Sequence, residues 1–234
     1  MTAILRREFM AYFYSPIGYI YLSVYFFFSG LYFVTLTILP QKADITPVFS
    51  NLFNIVLFLI PILTMRLLSE DKKNRTDQAL LTAPISLVSL VLGKFFAAAT
   101  VYTLGLSVTI LYGFIVQWFT PLNWAIIWGN LIAMLLLGMS LISIGMLISA
   151  LTENQVIAAT GGFAVALLLL LVDMLGSFTD NDIIKRILFE MSFSRHFNSF
   201  PSGIFNFTGV FFFFCITAVF VFLTVRILEK RRWS

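Results

Sequence analysis

Residues 66–94 read RLLSEDKKNRTDQALLTAPISLVSLVLGK and lie between two long apolar segments. The stretch carries Arg66, Lys72, Lys73, Arg75 and Lys94, five of the chain's fifteen Lys and Arg residues, together with three of its eleven acids. Such a concentration of charge in one internal link marks a loop outside the membrane, on the side where cations are retained. Outside the link the chain is greasy: 60% of its 234 residues are hydrophobic, 11% are charged and 27 are Phe, with mean hydropathy +0.97. Soluble domains are roughly 25% charged, so this composition needs lipid as its main solvent. The net charge of +4 is not a nucleic-acid signature, because the cations flank apolar runs. The single Cys215 cannot form an intrachain disulfide and says nothing of redox compartment. The N-terminus lacks the short apolar core and small-residue cleavage site of a secretory leader.

A helix needs about 20 apolar residues to cross the hydrocarbon core. Six segments qualify: about Ile17–Leu39, Val48–Met65, Phe95–Trp118, Trp124–Leu151, Val156–Leu175 and Val210–Leu228. The predicted fold is therefore all-α and polytopic, one transmembrane domain over residues 1–234. Pro61 falls inside the second span and predicts a kink near its end. Six spans put both termini on one side. That side collects Arg6, Arg7, Arg66, Lys72, Lys73, Arg75, Lys94, Arg226, Lys230, Arg231 and Arg232, eleven cations, against four (Lys42, Lys185, Arg186, Arg195) opposite. The bias predicts cytoplasmic termini and a cytoplasmic 66–94 loop. Trp118, Trp124, Trp128 and Trp233 fall near span ends, where an indole has one apolar face and one wet edge.

Before the first span, Ile4, Leu5, Phe9, Tyr12 and Phe13 recur at helical spacing around Arg6, Arg7 and Glu8. Residues 1–16 thus read as an interfacial helix turned into the membrane at Ser15-Pro16-Ile17-Gly18. Within the loop, Met65–Arg75 reads as a charged extension of the second span. Thr76–Thr82 reads as a short helix, with Thr76 as N-cap and Asp77 in the first turn. Ala79, Leu80 and Leu81 give it a small apolar face, and Ala83-Pro84 ends it. Ser86–Lys94 then climbs back toward the membrane. Such a helix suits either docking on another protein or packing on its own membrane domain.

The run MR…SEDKKNRTDQALLTAPIS…LVLGKF resembles the membrane subunit of type-2 ABC exporters. In that family E-(K/R)-(K/R)-x-G-T-x-E-x-L-L-(T/S)-x-P, followed by Gly-Lys-Phe, forms a coupling helix that docks on the ATPase subunit. Glu70, Lys72, Lys73, Thr76, Leu80, Leu81, Thr82, Pro84, Gly93, Lys94 and Phe95 match. Arg75 stands where Gly is usual, and Gln78 where Glu is usual. The resemblance implies ATPase coupling through Glu70, Lys72, Lys73, Arg75, Thr76, Asp77, Gln78, Leu80, Leu81, Thr82 and Pro84. Ser15–Tyr19, Leu151–Gln155 and Phe193–Gly203 are similar to the gliding-motility-type permease branch.

The resemblance further implies a second permease copy, an ATPase partner that binds ATP and Mg, membrane lipid as surroundings, and an inner-membrane location in a bacterium. An extracytoplasmic accessory subunit is a further expected partner, and nucleic acid is not. No cofactor is expected on this chain itself. No G-x-x-x-x-G-K-[ST] occurs, so ATP hydrolysis by the usual phosphate loop must come from another polypeptide. No HExxH occurs either, no metal site is expected, and the only histidine, His196, reads as a surface or interfacial residue. The predicted span interiors hold no ionisable group, with Asp173 and Glu153 at ends and turns, which argues against proton- or sodium-coupled carriage.

The external segment 173–207 contains an amphipathic pattern over Ile183–Phe193, with Asp180, Asp182, Lys185, Arg186 and Glu190 on or near its polar face. By resemblance this link carries short helices near an external gate, with Ile183, Arg186, Ile187 and Glu190 as gate or accessory contacts. Gly138, Gly145 and Ser149 make one face of the fourth span small, as Gly161 and Gly162 do in the fifth, which allows close helix approach, first of all within one subunit. The expected function is a permease subunit of an ATP-driven exporter. The alternatives are a passive channel and a membrane anchor or regulatory subunit without transport of its own.

Overall fold

A computed structural model describes residues 2–42, 44–76, 86–121, 123–178, 182–198, 200 and 207–232. Among these the chain is helical, without strands: α1 (Thr2–Tyr14), α2 (Pro16–Phe33, continued by a π-helical turn Val34–Ile38), α3 (Thr46–Thr64), α4 (Ser69–Lys73), α5 (Leu87–Gln117), α6 (Trp124–Leu151), α7 (Gln155–Phe178), α8 (Asp182–Met191), α9 (Phe193–Asn198) and α10 (Phe207–Arg232). Six of them are long and apolar enough to cross a membrane, and they are the six that the apolar runs predict.

α3 and α6 form the centre. Each has 61% of its apolar stretch buried, against 22% for α7 and 17% for α10. α6 packs against α3, α5, α7 and α10. Its small face makes that possible. A Cβ on Gly138 would stand 2.0 Å from the Tyr102 ring, and one on Gly145 would stand 2.2 Å from Thr64 Oγ1. Gly162 likewise packs on Pro61 of α3. These faces are filled within the subunit. α3 runs through Pro61 and ends at Thr64, whose hydroxyl donates to Ile60 O at 3.0 Å.

α2 presents a stripe at four-residue spacing: Tyr21, Tyr25, Ser29 and Phe33 are all buried. The two tyrosine rings lie across Gly105 of α5, Ser29 Oγ is 3.0 Å from Tyr112 Oη, and Phe33 stacks on Tyr112 at 4.3 Å. The elbow from α1 into α2 follows from three residues. Ser15 is extended at the N-cap, Pro16 occupies the first turn where no N–H is needed, and Gly18 lies so close to α1 that a Cβ would be 2.7 Å from the Tyr12 carbonyl oxygen.

Two differences from the sequence reading concern the 66–94 link. The segment after Thr64 is not a continuous exposed stalk: residues 65–68 form a turn, and Leu67, Leu68 and Ser69 are buried. α5 also begins at Leu87, eight residues before the predicted span, because Ser86 caps it by accepting a hydrogen bond from Ser89 N at 3.2 Å. The return path is thus part of one 31-residue helix. Residues 77–85, with Asp77, Gln78, Leu80, Leu81, Thr82 and Pro84, lie outside the described residues, as does Trp233.

Candidate functional site

The charges of the link converge where α1, α4 and α5 meet. Lys94, on the second turn of α5, has a side chain only 2% exposed. Its Nζ lies 2.7 Å from Asp71 Oδ2 of α4 and 3.1 Å from Glu8 Oε2 of α1. The other Glu8 oxygen, Oε1, accepts from Arg7, an interaction that raises the Arg7 pKa and holds that guanidinium in its charged form. The other Asp71 oxygen, Oδ1, accepts from Thr76 Oγ1 at 3.1 Å. Arg7, Glu8, Lys94 and Asp71 therefore form one alternating chain of cation and anion, from α1 to the Thr76 hydroxyl at the start of the predicted coupling helix. An ammonium so nearly desolvated is stable only when paired on this scale.

A second set of contacts locks the same junction from beneath. Arg66 makes an ion pair with Glu70 at 2.8 Å and donates to Ala11 O at 3.2 Å and to Ser15 Oγ. Ala11 O belongs to the last turn of α1, where a cation is favoured, and it also accepts from Ser15 N at 3.2 Å. Lys72 plays the same part for α6 by donating to Ala150 O. Ser149 Oγ accepts from Leu68 N and Ser69 N, both at 3.0 Å, and donates to Met65 O at 3.0 Å. One serine thus satisfies the turn that separates α3 from α4. Tyr12 Oη donates to Leu63 O at 2.9 Å. Burial pushes the Tyr12 phenol well above its ordinary range, so it remains a neutral donor.

Of the sequence-predicted coupling residues, the structure brings Glu70, Lys72 and Thr76 into this junction. Lys72 is turned inward and buried, whereas Lys73 and Arg75 are exposed beside Asn74 and Thr76. Arg75 has φ 56°, in the left-handed region. It follows the C-cap Asn74 of α4, and its N–H bonds back to Lys72 O at 3.1 Å. This is the helix-ending position that favours glycine, which explains why the exporter pattern has Gly where this chain has Arg. Arg75→Gly should accordingly raise stability by about 1 kcal/mol, since a left-handed non-glycine residue costs about that much. Thermal unfolding of the purified chain in detergent checks it, with Arg75→Val melting below wild type and Arg75→Gly above.

Arg7, Glu8, Tyr12, Arg66, Asp71, Lys94 and Ser149 are the members that the sequence reading did not assign to the site. The signal for Lys94 was its place between apolar residues, where a cation needs a counter-charge. Nothing local identified the partners, because Glu8 lies far away in sequence.

At the opposite end of the bundle, α8 packs on α7, and α9 packs against α6, α7 and α10. Ile183, Arg186, Ile187 and Glu190 do come together, with Met191, along one side of α8, where they line a shallow open depression. The sequence placed one helix over Ile183–Phe193; the structure breaks it at Ser192, whose hydroxyl accepts from Arg195 N at 3.0 Å and starts α9. His196 is not on the surface. It is 8% exposed, stacks on Phe212 of α10 at 4.1 Å, and places Nε2 3.1 Å from Glu190 O. Its surroundings are those of a packing residue. Among the described residues no group of His, Cys, Asp and Glu is arranged to hold a metal ion.

Arg231 of α10 lies 4.0 Å from Glu153 in the α6–α7 turn. The C-terminal end of α10, the α6–α7 turn, α4 and α1 therefore share the end of the bundle that carries the ion chain. Residues 32–233 match the family described as ABC-2 family transporter protein. A comparison with curated proteins gives no match.

Proposed function

Because the chain belongs to the ABC-2 family of transporters, we propose that it is the membrane permease subunit of an ATP-driven exporter and receives its energy at the α1–α4–α5 junction. A separate ATPase subunit binds ATP and Mg and docks on the 76–84 segment, with Leu80 and Leu81 as its apolar contacts. Lys73 and Arg75 offer cations at the edge of that surface, so the facing ATPase surface is acidic. Two copies, or this chain and a related one, enclose the pathway in the cytoplasmic membrane of a bacterium. Both termini and the junction face the cytoplasm, a reading that the eleven-to-four distribution of Lys and Arg supports. The gliding-motility-type branch is the subclass favoured by Ser15–Tyr19 and Leu151–Gln155, and α8 serves as the external gate or accessory contact.

The observation that carries this reading is the Asp71 carboxylate. It ties Thr76, at the start of the docking segment, to Lys94 at the base of α5 and through it to Glu8 of α1. Motion of the segment is passed on to two membrane-associated helices by charge pairs that resist separation in a dry setting. α3, joined to α4 by the Ser149-braced turn, moves with them. A push from below thus reaches the second and third spans together.

The test is a disulfide or maleimide crosslink from Leu80→Cys, in a Cys215→Ser background, to the ATPase co-purified with the chain. A crosslinked adduct that locks vanadate-sensitive ATP turnover is expected. Leu80→Asp with Leu81→Asp should lower turnover coupled to the permease by at least about tenfold, since two apolar contacts are worth more than 1.4 kcal/mol together. No adduct, with turnover indifferent to the chain, defeats the reading.

A further inference from the structure

The outer end of α2 carries a feature that coupling does not use. The regular helix gives way at Val34 to a π-helical turn, with Leu39 N bonding to Val34 O at 2.9 Å and Lys42 N to Thr37 O at 3.1 Å. Such turns are rare and concentrate at functional sites. Phe33, just before the turn, stacks on Tyr112 of α5, Thr37 is buried within it, and Gln41 follows at φ 54°, left-handed, which carries the chain round to Lys42.

Between this turn and the last turns of α5 opens a cavity of about 610 Å³. Its walls are Phe33, Ile38, Ile115, Val116 and Phe119. The size falls within the roughly 300–1,000 Å³ of small-molecule sites. The polar groups at its rim are Thr37, Thr120, Gln41 and Lys42. Both threonine hydroxyls are spent on backbone carbonyls, Thr37 on Asp44 O at 3.4 Å and Thr120 on Val116 O at 3.5 Å. The exposed Gln41 amide and Lys42 ammonium are left to face an occupant, and Lys42 has no ion pair among the described residues.

The depth of the cavity selects the occupant. It sits where two spans end together, at Ile38 and Gln117, beside exposed Trp118 and Phe119. An exposed indole such as that of Trp118 marks the boundary between hydrocarbon and headgroups. A ligand there has its apolar part in the hydrocarbon and its head at the interface, beside one unpaired cation. We propose that this cavity binds one anionic phospholipid, its acyl chain between α2 and α5 and its phosphodiester on Lys42 and Gln41, in the leaflet remote from α1.

The purified full-length chain, delipidated in detergent, is offered phosphatidylglycerol and phosphatidylcholine of matched chains, and bound lipid is counted by native mass spectrometry. Wild type is expected to retain phosphatidylglycerol in preference. Lys42→Gln should reduce that preference about fivefold, the effect of one cation at a membrane surface. Ile115→Trp, at a half-exposed wall position, should fill the cavity and remove retention of both lipids. Unchanged melting temperatures show that both variants fold. Equal retention of the two lipids by wild type, or an unaltered preference in Lys42→Gln, overturns the proposal. So does equal competition by the chain-free headgroup glycerophosphoglycerol, which would place the anion on Lys42 without the cavity.

Discussion

Replacing Lys94 with methionine is expected to cost about 3–5 kcal/mol of stability, the range for removing one partner of a buried ion pair. The side chain is close in volume, so packing against α1 and α4 changes little and the effect is electrostatic. What remains is two carboxylates, Glu8 and Asp71, each less than 20% exposed and each having lost the cation between them. Water cannot replace that cation without opening the junction. α1 is then expected to detach from α5, exposing Tyr12 and the Leu63 carbonyl that it caps.

Denaturation in detergent measures the loss. Combining Lys94→Met with Glu8→Met and Asp71→Leu replaces the charges together and should recover most of the stability, because exchanging a buried ion network for apolar side chains of similar volume is often neutral or stabilising. Energy transfer should not recover, since the uncharged triad no longer joins Thr76 to α5 through Asp71 and Lys94. A triple variant that regains both stability and permease-dependent ATP turnover would show that the ion chain only holds the fold together.

That separation bears on what a sequence can disclose. The six spans were legible because each is a continuous apolar run of membrane length, a property contained in neighbouring residues. The small face of α6 was legible for the same reason: Gly138, Gly145 and Ser149 fall on one side at helical spacing. Its use was not legible, since the sequence could not say that Tyr102, Thr64 and the turn after α3 would be the groups received there. The junction was harder still. Lys72 reads as part of a charged extension of the second span and Lys94 as the end of the path back to the membrane, and both are buried. One caps the end of α6, and the other sits between acids from two different elements. Such pairings depend on where α1 and α4 fold, which local patterns do not encode. Arg75 is intermediate: its departure from glycine was visible, and only the backbone angle gave it a physical meaning.

Gly138→Ala should be the most damaging single-methyl change in the membrane, at about 3 kcal/mol. A Cβ at this position would stand 2.0 Å from Tyr102 Cε1 and 2.3 Å from Cζ, so the ring must move. It is not free to do so. The Tyr102 hydroxyl donates to Met134 O at 2.6 Å, one turn from the glycine on the same helix, and the residue is 1% exposed. Moving the ring breaks this bond where no water can replace it, and holding it forces α5 and α6 apart. Overpacking costs about 1–3 kcal/mol, and a buried hydrogen bond adds about 1 kcal/mol. Tyr102→Phe releases the anchor but keeps the ring, so the two substitutions should be strongly non-additive. In the Tyr102→Phe background Gly138→Ala should cost clearly less than in wild type, because the ring can tilt. Strict additivity in unfolding would mean that the hydroxyl does not fix the ring and that the α5–α6 contact yields by another route.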